Sequence, residues 1–185
     1  MAHSSGAPLR RAVFLDRDKT LNEDPGYISH PDKLFLLPGV GEGLRQLHDA
    51  GYLLVVISNQ SGVGRGYYTE DDLSAVHARL LALLAAQGVL LDGAYYCMHT
   101  PADHCACRKP EPGMILQAAR ELGIDLAQSV MVGDKVSDVE AGRRAGCATV
   151  LIAPEPPAAP VPAADVALPD LPAVAAWLLG KPVEV

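Results

Sequence analysis

Short apolar runs that break off abruptly into carboxylates constrain this chain more than any other feature. Residues 12–15 run straight into Asp16-Arg17-Asp18-Lys19-Thr20, and residues 130–132 run into Gly133-Asp134-Lys135, with Asp138 close behind. Further apolar runs of similar length stand at 53–57, 94–97 and 149–152. Such runs, partly β-branched and bounded by polar turns, are what strands buried on both faces require. The segments between them carry the helical period instead. Pro38-Gly39 opens a helix with Val40, Leu44 and Leu47 on one face, and Gly51 closes it. Thr69 caps a second, with Glu70, Asp71 and Asp72 in its first turn, Leu73, Val76, Leu80 and Leu84 on its apolar face, and Gly88 beyond its end. Pro112-Gly113 precedes a third through Ile115, Ala118 and Leu122, and a fourth is predicted over 137–145. Five strands alternating with helices predict an α/β fold with a Rossmann-like, doubly wound parallel sheet. Residues 153–164, rich in Pro and Ala, are expected to cross in an extended form before a last helix at 171–179 that carries Trp177.

A chain of 185 residues, 49% hydrophobic, can bury one α/β core, so one domain spanning 1–185 is expected, with 1–10 as a flexible N-terminal segment. A net charge of −7 without a basic stripe argues against nucleic acid. No apolar run approaches the roughly 20 residues of a membrane span, and the small, polar N-terminus lacks a leader's basic and apolar parts. The reading is a cytoplasmic protein, without nucleic-acid or membrane partners, and a monomer. Of four cysteines, Cys147 reads as a small buried hydrophobe. The other three crowd into the 97–107 loop beside His99 and His104, as a metal cluster would rather than a secreted disulfide framework.

In open parallel sheets ligands bind beyond the carboxyl ends of the strands, where Asp16, Ser58, the cysteine loop and Asp134 are all predicted to fall. Residues two apart on an extended strand end point the same way, so Asp16 and Asp18 would converge and repel unless a cation lay between them. Asp134 adds a third carboxylate from another strand. Hard oxygen ligands of this kind select Mg²⁺, which keeps several waters and reaches toward phosphate oxygens. Without such a cation, two unit charges about 4 Å apart repel by roughly 4 kcal/mol at an effective dielectric of 20.

Asp16-x-Asp18-x-Thr20, Ser58-Asn59, Lys109, and Gly133-Asp134 with Asp138 resemble, in order, the four motifs of the haloacid dehalogenase superfamily of phosphatases. Phe14-Leu15-Asp16-Arg17-Asp18, Asn59-Gln60-Ser61-Gly62 with Arg65-Gly66, and Cys105-Ala106-Cys107-Arg108-Lys109-Pro110 are similar to the D-glycero-D-manno-heptose 1,7-bisphosphate 7-phosphatases and their histidinol-phosphatase relatives. The resemblance implies that Asp16 is the nucleophile, forming an aspartyl-phosphate, and that Asp18 is the general acid and then the general base. It implies Mg²⁺ held by the Asp16 side chain, the Asp18 main-chain carbonyl and the Asp134 carboxylate. Ser58, Arg108 and Lys109 would contact the transferring phosphoryl group or the substrate, and Lys135 the substrate. Asp24, Pro25, Gly26 and Tyr27, with Asn59, Gln60 and Ser61, align with sugar-contacting loops.

Cys97-x-His99 and Cys105-x-Cys107 supply a Cys₃His set that matches closed, structural, tetrahedral zinc; His104 is a rival ligand by spacing, and the resemblance selects His99. Zinc would stiffen a loop that delivers Arg108 and Lys109 directly after its last ligand. Residues 22–38 are too few for an independent cap domain, so the site is expected to be essentially capless and open to a small phosphosugar.

The chain departs from the family pattern at Lys19, where the family has Gly, and at Met98, which replaces a proline. Lysine at 19 could strain the turn, crowd the substrate, contact phosphate or extend into water. The substrate reading is the 7-phosphate of the heptose bisphosphate, feeding nucleotide-activated heptose synthesis. The alternatives are a phosphatase for histidinol phosphate or general small phosphomonoesters, and an inactive zinc-stabilised binding module.

Overall fold

The computed structural model describes residues 8–183. The expected alternation is present: β1 (Ala12–Leu15), α1 (Val40–Asp49), β2 (Leu53–Asn59), α2 (Ser61–Gly64), α3 (Glu70–Ala85), β3 (Gly93–Cys97), α4 (Gly113–Leu122), β4 (Val130–Gly133), α5 (Val136–Ala145), β5 (Ala148–Ile152), β6 (Val166–Leu168) and α6 (Leu171–Leu178). All pairings are parallel, in the order β3-β2-β1-β4-β5-β6. The sheet thus has six strands where the sequence predicts five. The sixth is a three-residue edge strand with no room for a periodic pattern, tied to β5 through Asp165, whose carboxylate accepts from the Thr149 amide at 2.8 Å.

β1 and the body of β2 and β4 are apolar and buried because the sheet is covered on both faces. Val13 and Leu15 face a core shared with α1, α3 and α6, while Ala12 and Phe14 face a second core with α4 and α5. Helix α3 starts where a capping box predicts: the Thr69 hydroxyl accepts from the Asp72 amide at 3.1 Å, and the Asp72 carboxylate from the Thr69 amide at 2.8 Å. Cys147 is buried, and burial pushes its thiol up to about 12, as an inert core residue.

Two differences bear on the site. Ser58 and Asn59 do not follow β2 but end it, because β3 continues to pair there, Ser58 with Tyr96 and Asn59 with Cys97. Of the expected flexible segment 1–10, residues 1–7 lie outside the described residues, whereas Arg10 is bridged to Ile124 and donates its amide to Gly123 O at 2.9 Å. The order of strand addition reverses at β1: β2 and β3 extend the sheet on one side of it, and β4, β5 and β6 on the other. The residues that follow β1 and β4, Asp16 and Asp134, therefore flank the switch point of the sheet.

Candidate active site

Asp16 leaves β1 with its amide bonded to Val132 O of β4 at 2.9 Å, so its side chain emerges between the two strands. It is 4% exposed, and a buried carboxylate needs a partner. Lys109 arrives from the far side of β2, itself 4% exposed, and its ammonium donates to Asp16 Oδ1 and to Ile57 O, both at 2.7 Å. A third contact, 2.7 Å to Asp138 Oδ1, uses the ammonium's remaining donor. Burial alone would push Lys109 down, but the Asp16 and Asp138 carboxylates outweigh it and hold the ammonium above its ordinary value. Burial pushes Asp16 up to about 7, against the pull of Lys109 and assisted by the charge of Asp138.

Sequence reasoning gave Asp138 no separate duty, though it stands in the fourth motif. Its Oδ2 caps α5 by accepting from the Lys135 amide at 2.9 Å, while Oδ1 takes Lys109. Asp16, Asp134 and Asp138 form one group of carboxylates, with an oxygen of each within 4.8 Å of the others. Both Asp138 oxygens are engaged, whereas Asp134 Oδ1 is buried without a partner. Such an orphaned acceptor beside a second carboxylate fits a hard cation. Burial raises Asp134, with Lys135 opposing. The Asp18 side chain stands outside this group.

Asp18 is held differently. Arg17 is fully buried, and its guanidinium grips Asp18 bidentately, Nε to Oδ1 at 2.9 Å and Nη2 to Oδ2 at 3.0 Å. Asn22 donates to Oδ1 at 3.0 Å and Gln60 Nε2 to Oδ2 at 2.9 Å. The same Gln60 amide donates to Ser58 Oγ at 2.9 Å, and its carbonyl oxygen accepts from Tyr68 at 2.7 Å. Arg17, Asn22 and Tyr68 were not singled out from the sequence. The available signal for Arg17 was a lone arginine directly after a strand with no exposed face.

Above this floor lies an open cleft of 430 Å³. Asp16, Asp18, Ser58 and Lys109 line its base; Asp24, Gly26 and Tyr27 form one wall; Arg108 and Lys135 reach it from others. Of the residues expected to meet substrate, Pro25 alone lies off the lining, while Tyr68, Ser137 and Asp138 are added to it. Asn59 and Gln60 line the cleft but are already engaged. The Asn59 side chain brackets Lys109, donating to its carbonyl and accepting from its amide, each at 3.0 Å. Lys19 lies elsewhere. It is exposed, with φ +60°, and borders a second cleft of 620 Å³ that is also lined by Asp24 and Asp134, behind the acidic group. It therefore neither crowds the acidic cleft nor lines it.

The Cys97, His99, Cys105 and Cys107 ligand atoms also converge, within 4.8 Å of one another. Cys97 Sγ lies 3.7 Å from Cys105 Sγ and 3.1 Å from Cys107 Sγ, and His99 Nδ1 lies 3.3 Å from Cys107 Sγ. A disulfide would need about 2.05 Å, whereas ligands at about 2.3 Å around a tetrahedral ion stand roughly 3.8 Å apart. The set fits zinc. The loop is keyed to the sheet edge: the Gln60 amide donates to Cys97 O at 2.7 Å and the Gly64 amide to Met98 O at 3.1 Å. It also meets α4 so tightly that a Cβ on Gly113 would lie 2.2 Å from Ala106 O. Arg108 folds back across the loop to donate to His99 O at 3.1 Å.

Comparison with known proteins assigns the chain to a family. The family described as HAD-hydrolase-like matches residues 106–156. The D-glycero-beta-D-manno-heptose-1,7-bisphosphate 7-phosphatase of Haemophilus ducreyi is 47% identical over 150 residues, 77% of this chain and 82% of that one. The chain belongs to this phosphatase family. A second member, from Thermosynechococcus vestitus, is 46% identical over 154 residues, 77% of this chain and 79% of its own length. Among solved structures, the D,D-heptose 1,7-bisphosphate phosphatase from B. bronchiseptica, complexed with magnesium and phosphate, superposes with a TM-score of 0.82. It shares 36% identity over 92% of this chain and 98% of that one. Membership makes this chain a phosphomonoester hydrolase with the haloacid dehalogenase fold. No helix among the described residues is long and apolar enough to cross a membrane.

Proposed function

We propose that the protein is a single-domain, monomeric, cytoplasmic phosphatase that removes the 7-phosphate of D-glycero-D-manno-heptose 1,7-bisphosphate. The observation that carries this reading is that one open cleft has the Asp16–Lys109–Asp138 cluster at its base and Arg108, delivered by the cysteine-histidine loop, on its rim. A substrate with two phosphates needs a reacting centre and a second cationic contact some distance away, and this cleft offers both.

Asp16 attacks phosphorus in line; the new Asp16–phosphorus bond forms as the bond to the C7 oxygen breaks. Asp18 gives its proton to the departing alkoxide, then takes one from the water that attacks the aspartyl-phosphate and frees Asp16. Asp16, Asp134 and the Asp18 main-chain carbonyl would hold Mg²⁺, which neutralises phosphoryl charge so that an anionic nucleophile can approach. Lys109 stabilises the transferring oxygens as a fixed buried cation, and Ser58 contributes a hydroxyl. Arg17, Gln60 and Asn22 keep Asp18 in one orientation. Cys97, His99, Cys105 and Cys107 would hold zinc, which would keep Arg108 and Lys109 in register. Asp24, Gly26, Tyr27, Ser61 and Lys135 surround the sugar.

Purified protein with Mg²⁺ is assayed on the heptose bisphosphate, on histidinol phosphate and on glycerol phosphate, with ³¹P NMR of the product. The expected result is release of one phosphate from the bisphosphate with the C1 phosphate retained, at the highest kcat/KM of the three. Greater efficiency on histidinol phosphate would overturn the substrate assignment, and release from none would favour the binding-module alternative.

A further inference from the structure

Two aromatic rings meet at the mouth of the cleft on loops from different strands. Tyr27 ends the turn after β1 in which Asp24 Oδ1 accepts from the Gly26 amide at 2.9 Å. Gly26 has φ +97° and Tyr27 itself φ +48°, a left-handed conformation that a bulky L-residue adopts only when its surroundings enforce it. Tyr67 follows α2, in the loop after β2. Its ring packs edge-to-face on Tyr27, centroids 4.9 Å apart and planes at 82°. Both rings remain largely in solvent, Tyr27 51% and Tyr67 59% exposed. Only Tyr27 of the two lines the cleft.

The base of the Tyr67 loop is fixed. The Tyr67 amide donates to Gly62 O at 2.8 Å. The next residue, Tyr68, points the opposite way, its hydroxyl on Gln60 and its ring so close to α2 that a Cβ on Gly62 would lie 2.1 Å from it. Neighbouring tyrosines thus take opposite directions, one down into the network that holds Asp18 and one up against Tyr27.

We propose that Tyr67 is a positioning residue that sets substrate specificity: it braces Tyr27 so that the Tyr27 ring presents an apolar wall to the carbon face of the sugar. This rests on the function proposed above. A sugar has C–H faces that an aromatic ring can cover, and a ring pre-set in that position loses little conformational freedom when substrate binds. An edge-to-face contact directs the edge of one ring at the face of the other, so it fixes the orientation of a residue whose backbone is already strained. Tyr67 itself touches no substrate, and its hydroxyl has no part in the brace.

The test compares parent, Tyr67→Ala and Tyr67→Phe enzymes, loaded with Mg²⁺ and zinc, on the heptose bisphosphate and on glycerol phosphate, which has no ring to stack. Expected is a rise in KM of about two- to ten-fold for the bisphosphate in Tyr67→Ala, the range to which an aromatic pair converts. Its kcat should stay near the parent's and its glycerol phosphate kcat/KM should be unchanged, while Tyr67→Phe should match the parent on both. An unchanged KM in Tyr67→Ala, an equal loss on glycerol phosphate, or a Phe variant no better than the Ala one would overturn the proposal. A parent that releases no phosphate from the bisphosphate would instead overturn the proposed function, and this inference with it.

Discussion

The acidic cluster and the cysteine-histidine cluster each gather ligands from separated positions, but they are built on opposite terms. Asp16, Asp138 and Lys109 are each at most 4% exposed and come from a strand end, a helix start and a buried lysine that bond to one another. Their arrangement is set by the folded core before any metal arrives. In the cysteine loop only Cys97 is buried, at the end of β3; the other three ligands lie on chain whose one regular element is a 3-10 turn at Pro101–Asp103. There a shared ion would supply the missing interior. A core-built site should register the loss of its buried cation as lost stability of the whole fold, whereas a ligand-built loop should lose the placement of its own residues while the sheet around it stands.

The largest effect is expected at Asp16. Asp16→Asn should lower phosphate release by at least about 10³-fold, because a nucleophile is removed while binding groups stay. The fold should survive, since Lys109 keeps Asp138 and Ile57 O. The pH dependence has a definite sign. Asp16 is raised from 3.8 to about 7, so the folded state holds a proton that the unfolded state releases, and its contribution becomes less favourable as pH rises between those values. In metal-free buffer, Asp16→Asn should therefore melt higher than the parent at pH 8 and close to it at pH 4, by calorimetry. A variant that unfolds at both pH values would break the contrast between the clusters.

Lys109→Met comes next, read in stability rather than turnover. It leaves two buried carboxylates facing each other without a cation, a loss of roughly 3–5 kcal/mol, and a fall in Tm of roughly 6–20 °C. Added Mg²⁺ should recover part of the loss in a melting curve, because a cation returns to the carboxylates. No recovery would mean that this group does not hold the metal.

Zinc removal should do the reverse. Stripping the ion with a strong chelator and restoring Mg²⁺, or substituting Cys107→Ser, should lower kcat/KM by roughly 10–100-fold, while far-ultraviolet circular dichroism stays near that of the parent. Zinc returned to the stripped parent should restore it. A loop as active without zinc as with it would show that its contacts to Gln60, Gly64 and Gly113 are sufficient.

What the sequence made legible follows the same division. Carboxylates after apolar runs, and thiols at metal spacing, are local patterns, so Asp16, Asp134 and the three cysteines could be read directly, whereas spacing left His99 and His104 as rivals and only the family resemblance chose His99. The network around Asp18 could not, because Gln60 lies 43 positions from Arg17 and the two meet only when β2 pairs with β1. Asn59 aligns with the sugar-contacting loops, yet its amide is taken by the Lys109 backbone, 50 positions away. β6 escaped notice because three edge residues carry no period. The direction of Lys19 is likewise set by backbone angle rather than composition.

Lys19 sharpens the comparison at its smallest scale, being inside the first acidic string yet outside the acidic cleft. Its φ of +60° costs a non-glycine residue roughly 1–2 kcal/mol. Glycine removes that strain but gains freedom in the unfolded chain, so Lys19→Gly should stabilise by about 0.5–1 kcal/mol, a rise in Tm of about 1–4 °C. Its kcat/KM should equal the parent's, since the ammonium borders the second cleft and not the one that holds Asp16. A drop in kcat/KM would mean that the lysine charge, which together with the larger pull of Lys135 opposes the rise that burial imposes on Asp134, tunes the metal site from behind. The boundary of the core-built site would then lie one residue further along the turn than the cleft lining places it.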